Sequence, residues 1–274
     1  MKVRIWGSRG SIASAGPETV RYGGNTACVA VTSDDTVLVL DAGTGMRRLG
    51  KELAGRPGTI HILLTHLHMD HIQGLGFFAP LFQPDREVHI WGPPSTTRDL
   101  RTSLTRYLSP PLFPVRIVDV EARVQLHDIR WESWRIGQFD VVAAGVVHPG
   151  PTVGYRIGQN GSSIAYLPDH EPALGGLSAG ADWTSGAGLA QGVDLLIHDA
   201  QYDPREYADR VGWGHSSIEH AARFADLVET ARLMLFHHEP DHADDVIDAM
   251  LETARSIRRG GEVTAAGEGD VVDL

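Results

Sequence analysis

The chain has 274 residues, of which 42% are hydrophobic and 22% charged, a composition typical of globular proteins rather than of disordered or fibrous ones. Its net charge of −11 disfavours long polyanions such as RNA unless a local basic patch offsets it, and the only basic runs are Arg47-Arg48 and Arg258-Arg259. No apolar run approaches the roughly 20 residues of a membrane helix, and the single cysteine, Cys28, excludes an internal disulfide.

The first predicted elements are a strand at residues 3–6 and a Gly/Ser loop at residues 7–11. Such a loop either cradles a phosphate with its backbone amides or forms a plain tight turn, and it lacks the Lys-Ser/Thr ending of a P-loop. Two further strands, at residues 28–32 and 36–40, are joined by the hairpin signal Ser33-Asp34-Asp35. The N-terminal region therefore predicts an antiparallel sheet.

The next segment delivers four metal-capable side chains directly after a strand. Residues 59–64 are a short apolar run typical of a buried strand. His66 and His68 follow two positions apart on an extended segment, so their imidazoles leave the same side, and Asp70 and His71 fall where the chain turns. Imidazole and carboxylate together suit zinc, and also manganese or iron. A solvated histidine-rich turn is the alternative, but such a turn does not usually follow a buried strand.

The motif His66-x-His68-x-Asp70-His71 after an apolar strand resembles the signature of the metallo-β-lactamase-fold hydrolases. Within that superfamily the chain is similar to ribonuclease Z-like and cyclic-phosphodiesterase-like bacterial members. The resemblance implies an α/β fold, a four-layer αββα sandwich, and we expect a single domain over residues 1–274 built of two βα halves, approximately 1–115 and 116–274. In this family an aspartate at the position of Asp41 supports the metal loop. An N-cap for the predicted helix 46–53 is the alternative, and both roles can hold together.

The middle of the chain contains a predicted helix and a predicted hairpin. The helix spans residues 95–108 and is capped by Ser95 or Thr96. The hairpin joins strands at residues 153–157 and 163–167 over an Asn-Gly turn. Both elements follow the first metal motif along the chain.

Further candidate ligands stand at the ends of later strands. A predicted strand ends at His148, which alone would favour a satisfied core histidine, but the resemblance implies that it is a ligand. The hairpin ends at Asp169, which the resemblance implies is a metal-bridging aspartate; a turn with an N-cap aspartate is the alternative. His170 and Glu171 crowd the same point as supporting or alternative ligands.

The C-terminal third has a loop, two helices and two strand regions. Residues 175–192 are rich in Gly, Ala and Ser and predict a loop or lid. A helix at residues 218–227 is capped by Ser216 or Ser217. A strand at residues 231–236, a closing helix and a last strand region at residues 263–274 complete the chain.

Four residues of this region are candidates for the site. His215 resembles the non-ligand histidine of ribonuclease Z-like phosphodiesterases, which stabilises or protonates the leaving oxygen. Asp199 lies where those relatives carry an acidic residue. His237 matches the last ligand of the family by its distance from the strand, and His238 is its competitor.

The resemblance implies a dinuclear centre with two divalent metal ions, zinc before manganese or iron. Seven residues hold them in this scheme: His66, His68 and His148 on one ion, Asp70, His71 and His237 on the second, and Asp169 as the bridge. Two such ions activate a water and clamp both oxygens of an in-line displacement. Asp70, His215 and Asp199 are the predicted catalytic residues.

The predicted function is a metal-dependent hydrolase, a phosphodiesterase acting on a small or cyclic phosphate ester. Twenty residues separate His148 from Asp169, where ribonuclease Z carries a long tRNA-gripping arm, so tRNA is disfavoured as a partner. A lactone or thioester hydrolase with the same centre is the alternative chemistry, and a non-catalytic di-iron sensor or binding protein is the alternative class. We expect a soluble cytoplasmic protein without membrane contact, and the sequence leaves open whether it forms a homodimer.

Overall fold

Two β-sheets stack face to face in the computed structural model, which describes residues 1–34, 36–175, 177 and 180–274. The first sheet contains β1 (Lys2–Gly7), β2 (Cys28–Ser33), β3 (Thr36–Leu40), β4 (Ile60–Leu63), β5 (Glu87–Gly92), β6 (Arg123–Asp128) and β14 (Val271–Asp273). The second contains β7 (Glu132–Ile136), β8 (Phe139–Gly145), β9 (Val153–Gln159), β10 (Ser162–Leu167), β11 (Leu195–Asp199), β12 (Arg232–Phe236) and β13 (Glu262–Ala265). The strand orders are β14-β1-β2-β3-β4-β5-β6 and β13-β12-β11-β10-β9-β8-β7.

Helices cover the outer faces of the sheets. The described α-helices are α1 (Met46–Leu53), α2 (Met69–Ile72), α3 (Leu100–Tyr107), α4 (Ala187–Ala190), α5 (Pro204–Ala208), α6 (Ile218–Leu227) and α7 (Asp244–Ile257). Short 3-10 turns lie at Pro17–Thr19, Leu75–Phe77, Ala79–Phe82, Ile117–Asp119, Pro172–Gly175 and Ala181–Trp183. Among the described helices, none has the length and apolar character needed to cross a bilayer.

The helices and the two sheets form four layers, and an apolar layer lies between each neighbouring pair. Along β3, Leu38 and Leu40 face the second sheet, whereas Val39 between them faces the helices, as the two-residue repeat of a strand requires. Phe236 joins the layer between the sheets, and Phe224 of α6 packs in the layer outside the second sheet. The order helix, sheet, sheet, helix confirms the predicted αββα sandwich.

Several predicted elements are confirmed. Helix α1 spans the predicted residues 46–53, and Ser217 caps α6 by accepting a hydrogen bond from the amide of His220. The β9–β10 hairpin turns over Asn160 and Gly161, whose φ values of 50° and 87° are those of a type I′ turn. The predicted loop at 175–192 is wrong in part, because it contains α4 and the 3-10 turn Ala181–Trp183. Residues 35, 176, 178 and 179, which belong to this loop and to the predicted turn at 33–35, lie outside the described residues.

One further element prediction is wrong, and another is confirmed as two separate strands. The helix expected at 95–108 begins at Leu100, with Asp99 as the N-cap that accepts from the amide of Thr102 at 2.8 Å. Ser95 instead accepts from the amide of Arg98 at 2.9 Å, a local side-chain turn that competes with the helix. The last strand region splits, because β13 pairs with β12 in the second sheet while β14 pairs with β1 in the first.

Parallel pairing brings the ends of several strands to one edge. Strands β3, β4 and β5 are parallel in the first sheet, as are β10, β11 and β12 in the second. Carboxyl ends of parallel strands meet at one edge, which is where α/β sheets bind ligands. His66 follows β4, Asp169 follows β10, Asp199 ends β11 and His237 follows β12. The topology therefore positions these side chains together.

Candidate metal centre

One group of metal-capable side chains combines His66, His68, His148 and Asp169. Their candidate ligand atoms all lie within 4.8 Å of one another. Nδ1 of His68 is 3.2 Å from Nε2 of His148, and Oδ2 of Asp169 is 3.7 Å from Nε2 of His66 and 3.6 Å from Nε2 of His148. His68 is exposed, whereas His66 and Asp169 are buried. The group thus opens to solvent on the His68 side.

A second group combines Asp70, His71 and His237, all of them buried. Oδ2 of Asp70 lies 3.2 Å from Nε2 of His71 and 3.2 Å from Nε2 of His237. The other oxygen of Asp169, Oδ1, lies 3.0 Å and 3.3 Å from the same two nitrogens. Asp169 therefore directs one carboxylate oxygen to each group, the position of a bridging ligand.

The donor atoms fit divalent metal ions in spacing and in their lack of partners. A tetrahedral ion with bonds of about 2.0–2.2 Å separates its ligand atoms by about 3.3–3.6 Å, close to the distances above. Nε2 of His66 and Oδ1 of Asp169 are buried without an aligned hydrogen bond from any described residue, although such atoms are nearly always bonded. His71 lies close to this oxygen without the geometry of a hydrogen bond. The site is that of a divalent-metal protein.

Burial and nearby charges shift the pKa values of the buried Asp169 carboxylate and of the imidazoles around it. Burial acts to raise the pKa of Asp169, but the nearby imidazoles, His237 first, hold that pKa well below its usual range. Burial acts to lower the pKa of His71, but the surrounding carboxylates, Asp169 first, raise it well above the ordinary value. Burial lowers the pKa of His66 strongly and that of His148 to about 4. His66 and His148 are therefore neutral at pH 7, the form that binds metal.

Asp41 holds the first metal loop through a set of short hydrogen bonds. Its carboxylate accepts from the Thr65 amide at 2.7 Å, from the Tyr166 hydroxyl at 3.0 Å and from Nδ1 of His71 at 2.8 Å. Such contacts fix the orientation of a ligand ring and of the loop that carries it. The residue that caps α1 is Gly45. The geometry therefore favours the supporting role for Asp41 over the N-cap.

The N-terminal Gly/Ser loop contacts the same centre. The amide of Ser11 donates to Oδ2 of Asp70 at 2.8 Å, and Gly10 packs directly against the ring of His237. Gln201, which was not predicted, accepts from Nδ1 of His237 at 3.1 Å. No sequence pattern signals these contacts, because they join segments that are far apart in the chain.

Gly10→Ala is expected to lower kcat/KM by about 10²-fold, since displacement of a reacting group by about 1 Å can cost that much. A Cβ at Gly10 would overlap with the His237 ring, which must then move away from Asp70 and Asp169. Gly55→Ala is the matched control, because nothing described lies within 4 Å of a Cβ there. Steady-state kinetics and metal content measure the effect, and equal activity of the two variants would contradict it.

His215 forms a third metal-capable group with Asp169 and His237 and is fixed by Asp199. Nδ1 of His215 donates to Oδ2 of Asp199 at 2.7 Å, and Oδ1 of Asp199 accepts from the amides of Ser216 at 3.0 Å and Gln201 at 3.1 Å. The His215 ring stacks on that of His237 with centroids 4.9 Å apart. Burial opposes protonation, but Asp199 raises the pKa of His215 to about 9. A proton donor is thus held beside the metal-capable side chains.

His238 and His170, the alternative candidate ligands, make contacts away from the metal-capable groups. Nε2 of His238 donates to the carbonyl of Ala266 at 3.0 Å, and Nδ1 of His170 lies 2.9 Å from Nε2 of His198. Neither His238 nor His170 belongs to a metal-capable group of the described residues. Both are buried and hydrogen-bonded, as core histidines usually are.

Glu171 holds the loop that leads to His215. Its carboxylate accepts from the amides of Gly212 at 2.8 Å and Gly214 at 2.7 Å and from the Tyr207 hydroxyl at 2.8 Å. The carbonyl of Gly214 in turn accepts from Nδ1 of His148 at 2.8 Å. One buried carboxylate therefore positions the loop that supports a candidate ligand and carries His215.

The αββα sandwich with paired histidine–aspartate groups at its strand ends defines a metallohydrolase, and the prediction of a metal-dependent hydrolase is confirmed. A model of the beta-lactamase superfamily domain matches residues 36–238. The chain belongs to the beta-lactamase superfamily.

Its relatives and structural neighbours agree with this family. Ribonuclease Z of Natronomonas pharaonis is 27% identical over 321 aligned positions that cover 100% of this chain and 98% of the relative. The metallo-beta-lactamase fold protein YhfI from Bacillus subtilis aligns with a TM-score of 0.72 at 20% identity, covering 99% of this chain and 98% of its own. Human short-form tRNase Z aligns with a TM-score of 0.69 at 23% identity over 100% and 99% of the two chains.

The prediction of a small-molecule partner, with tRNA disfavoured, is wrong. Ribonuclease Z relatives match this chain along its full length, and human tRNase Z shares its fold. The net charge of −11 is a sum over the whole surface, whereas the field at a site is set by charges within about 10 Å of it in physiological salt. The net charge of the chain therefore does not indicate which molecule binds at one site.

Proposed function

We propose that the chain is a phosphodiesterase that hydrolyses RNA with two divalent metal ions. The observation that carries the proposal is His215, whose Nδ1 donates to Asp199 at 2.7 Å while its ring lies against the candidate ligands Asp169 and His237. Phosphodiester cleavage expels an alkoxide, which needs a positioned proton. RNA enters the proposal from the ribonuclease Z relatives that cover the whole chain.

In this proposal the seven side chains predicted from the sequence hold the ions, with Asp169 between the two groups. When bound, divalent ions polarise phosphoryl oxygens and lower the pKa of a water towards 7. Zinc is favoured over manganese or iron because the donor set is rich in imidazole. Asp70, fixed by the amide of Ser11, would hold one ion and would accept a hydrogen bond from the attacking water.

His215 and Asp199 complete the mechanism. Because Nδ1 of His215 is committed to Asp199, the ring presents Nε2 to the departing oxygen and transfers its proton there. Asp199 is itself held by three backbone amides, so the pair does not have to reorganise during the reaction. Asp199 therefore acts by fixing the tautomer and orientation of the ring.

The test is hydrolysis of a tRNA precursor with a 3′ trailer and of bis(p-nitrophenyl) phosphate, with zinc or manganese added after chelation. A lactone and a thioester are assayed in parallel. Both phosphodiesters are expected to be cleaved with kcat/KM above that for either acyl substrate, and a chelator is expected to abolish cleavage. A preference for an acyl substrate with every metal would overturn the proposal.

Glu171→Gln is expected to lower kcat by about 10- to 100-fold, the usual effect of removing a residue that orients a metal ligand. The amide side chain offers one acceptor oxygen where Gly212 and Gly214 both donate, and its NH₂ faces a donor. Glu262→Gln, at an exposed position, is the control. Since Glu171 is a positioning residue, KM is expected to change less than kcat. An equal loss in both parameters would contradict this role.

A further inference from the structure

Three adjoining cavities open beside the metal-capable groups, and Ser95 lines all of them. The smallest, with a volume of ≈ 140 Å³, is lined by His66 and His68. On one side lies the Trp131 cleft, of ≈ 560 Å³, lined by Pro93, Arg130, Trp131, Gly145 and Pro151 among others. On the other side lies the Arg98 cleft, of ≈ 420 Å³, lined by Leu67, Arg98, Arg106 and Tyr107 among others. Together they form one groove that passes the candidate centre.

The groove is positively charged although the chain carries a net charge of −11. Its lining includes Arg98, Arg106 and Arg130 and, among the described residues, no aspartate or glutamate. Arginines elsewhere, such as Arg116 and Arg135, pair with carboxylates, whereas these three form no such ion pair within the described chain. Three unneutralised guanidinium groups favour a ligand with several negative charges along its length.

Trp131 is an exposed aromatic wall of the groove. Its side chain is 80% exposed, and its ring lies over Gly145 at the end of β8, where a Cβ would come within 2.6 Å of Nε1. The missing side chain at Gly145 lets the indole lie against the strand end while its other face stays free. A free indole face beside a cationic side chain is the arrangement on which single-stranded nucleic acids stack their bases.

We propose that the Trp131 cleft binds a nucleotide flanking the scissile phosphate of single-stranded RNA, with its base stacked on Trp131 and its phosphate near Arg130. The inference rests on the proposed function, because it assumes that the groove leads an RNA strand past the metal-capable residues. We assign RNA to this cleft because the cleft is continuous with the cavity lined by His66 and His68 and because the groove lining is positively charged. Stacking is tolerant of base identity, so the subsite contributes affinity with little sequence preference.

The experiment measures binding without requiring hydrolysis. The Kd of a fluorescently labelled, short single-stranded oligoribonucleotide is determined by anisotropy in the presence of a chelator, at several salt concentrations. Trp131→Ala is expected to raise Kd by at least about tenfold, Trp131→Phe by less, because a phenyl ring still stacks. Trp183→Ala is the matched control, since Trp183 is 84% exposed and lies outside the groove lining. Arg130→Gln is expected to reduce the slope of log Kd against log salt by about 0.7.

Kinetics with metal added separate this inference from the proposed function. Trp131→Ala is expected to lower kcat/KM at least about tenfold more for the oligoribonucleotide than for methyl p-nitrophenyl phosphate, which has no base to stack. If the wild-type protein cleaves RNA but Trp131→Ala and Trp183→Ala bind it equally, the subsite is overturned and the proposed function stands. If binding depends on Trp131 but no phosphodiester is cleaved with any metal, the proposed function fails and the binding site remains. Equal losses on both substrates would show a general structural effect and would also overturn the subsite.

Discussion

Replacing Asp169 by asparagine is expected to lower kcat/KM for phosphodiesters by on the order of 10³-fold. Its two oxygens face the two groups, Oδ2 toward Nε2 of His66 and His148 and Oδ1 toward Nε2 of His71 and His237. A neutral amide cannot bridge two cations as a carboxylate does. Loss of several kcal/mol of transition-state stabilisation by the metal pair corresponds to a rate factor of about this size.

Metal content and thermal unfolding test the same substitution independently of activity. The wild-type protein is expected to bind two zinc ions per chain and to gain about 2.7 kcal/mol of stability at a free zinc concentration of 100 Kd, and Asp169→Asn to bind at most one ion tightly. Asp140→Asn is the control, because Asp140 is exposed and its carboxylate pairs with the exposed Arg135. Two tightly bound ions in Asp169→Asn, with unchanged kinetics, would contradict the bridging role.

His215→Ala is expected to lower kcat by about 10²–10⁴-fold for RNA, the range for removal of a general acid. Its metal content is expected to remain that of the wild-type protein, because Nδ1 of His215 is bound to Asp199 and the predicted ligand set does not include this ring. Asp199→Asn is expected to show a smaller loss in the same direction, since the ring remains but its tautomer and orientation are no longer fixed.

The leaving group provides the decisive comparison for His215. A p-nitrophenolate departs without a proton, whereas a ribose alkoxide does not, so the loss in His215→Ala is expected to be much smaller with bis(p-nitrophenyl) phosphate. His127→Ala controls for the loss of a half-buried histidine at a different place, on β6. Equal losses with both leaving groups would show that His215 does not act as the acid.

The two largest predicted effects concern Asp169 and His215, and parallel strand pairing brings Asp169 close to Asp199, the residue that holds His215. Asp169 follows β10 and Asp199 ends β11, adjacent strands in register at Leu167 and His198. The sequence predicts each strand and the side chain after it, because a short apolar run followed by polar residues is a local pattern. Pairing then brings the strand ends together, as it does for every βα fold of this kind.

The choice between His237 and His238 illustrates what local pattern cannot determine. His237 has a φ of 62°, a left-handed turn at the end of β12, and its ring faces Asp70 and Asp169. His238 turns away to the carbonyl of Ala266. Adjacent residues at a strand end point in different directions, and the contacts of the His237 ring are with Gly10 and Gln201, which are remote in sequence.

The sequence by itself determined the strands that precede the site and the metal-capable side chains after them, because a short apolar run followed by polar residues is a local pattern. The αββα architecture and the gathering of seven side chains were implied by the resemblance of the His66-x-His68-x-Asp70-His71 motif to the metallo-β-lactamase-fold hydrolases. Their role as ligands stays a prediction. Only the tertiary structure decided the contacts of Gly10, Ser11, Gln201 and Glu171 and the gathering of Arg98, Arg106 and Arg130 into one groove. These depend on distances between residues remote in sequence, and a sum of charges or a search for basic runs carries no information about such distances.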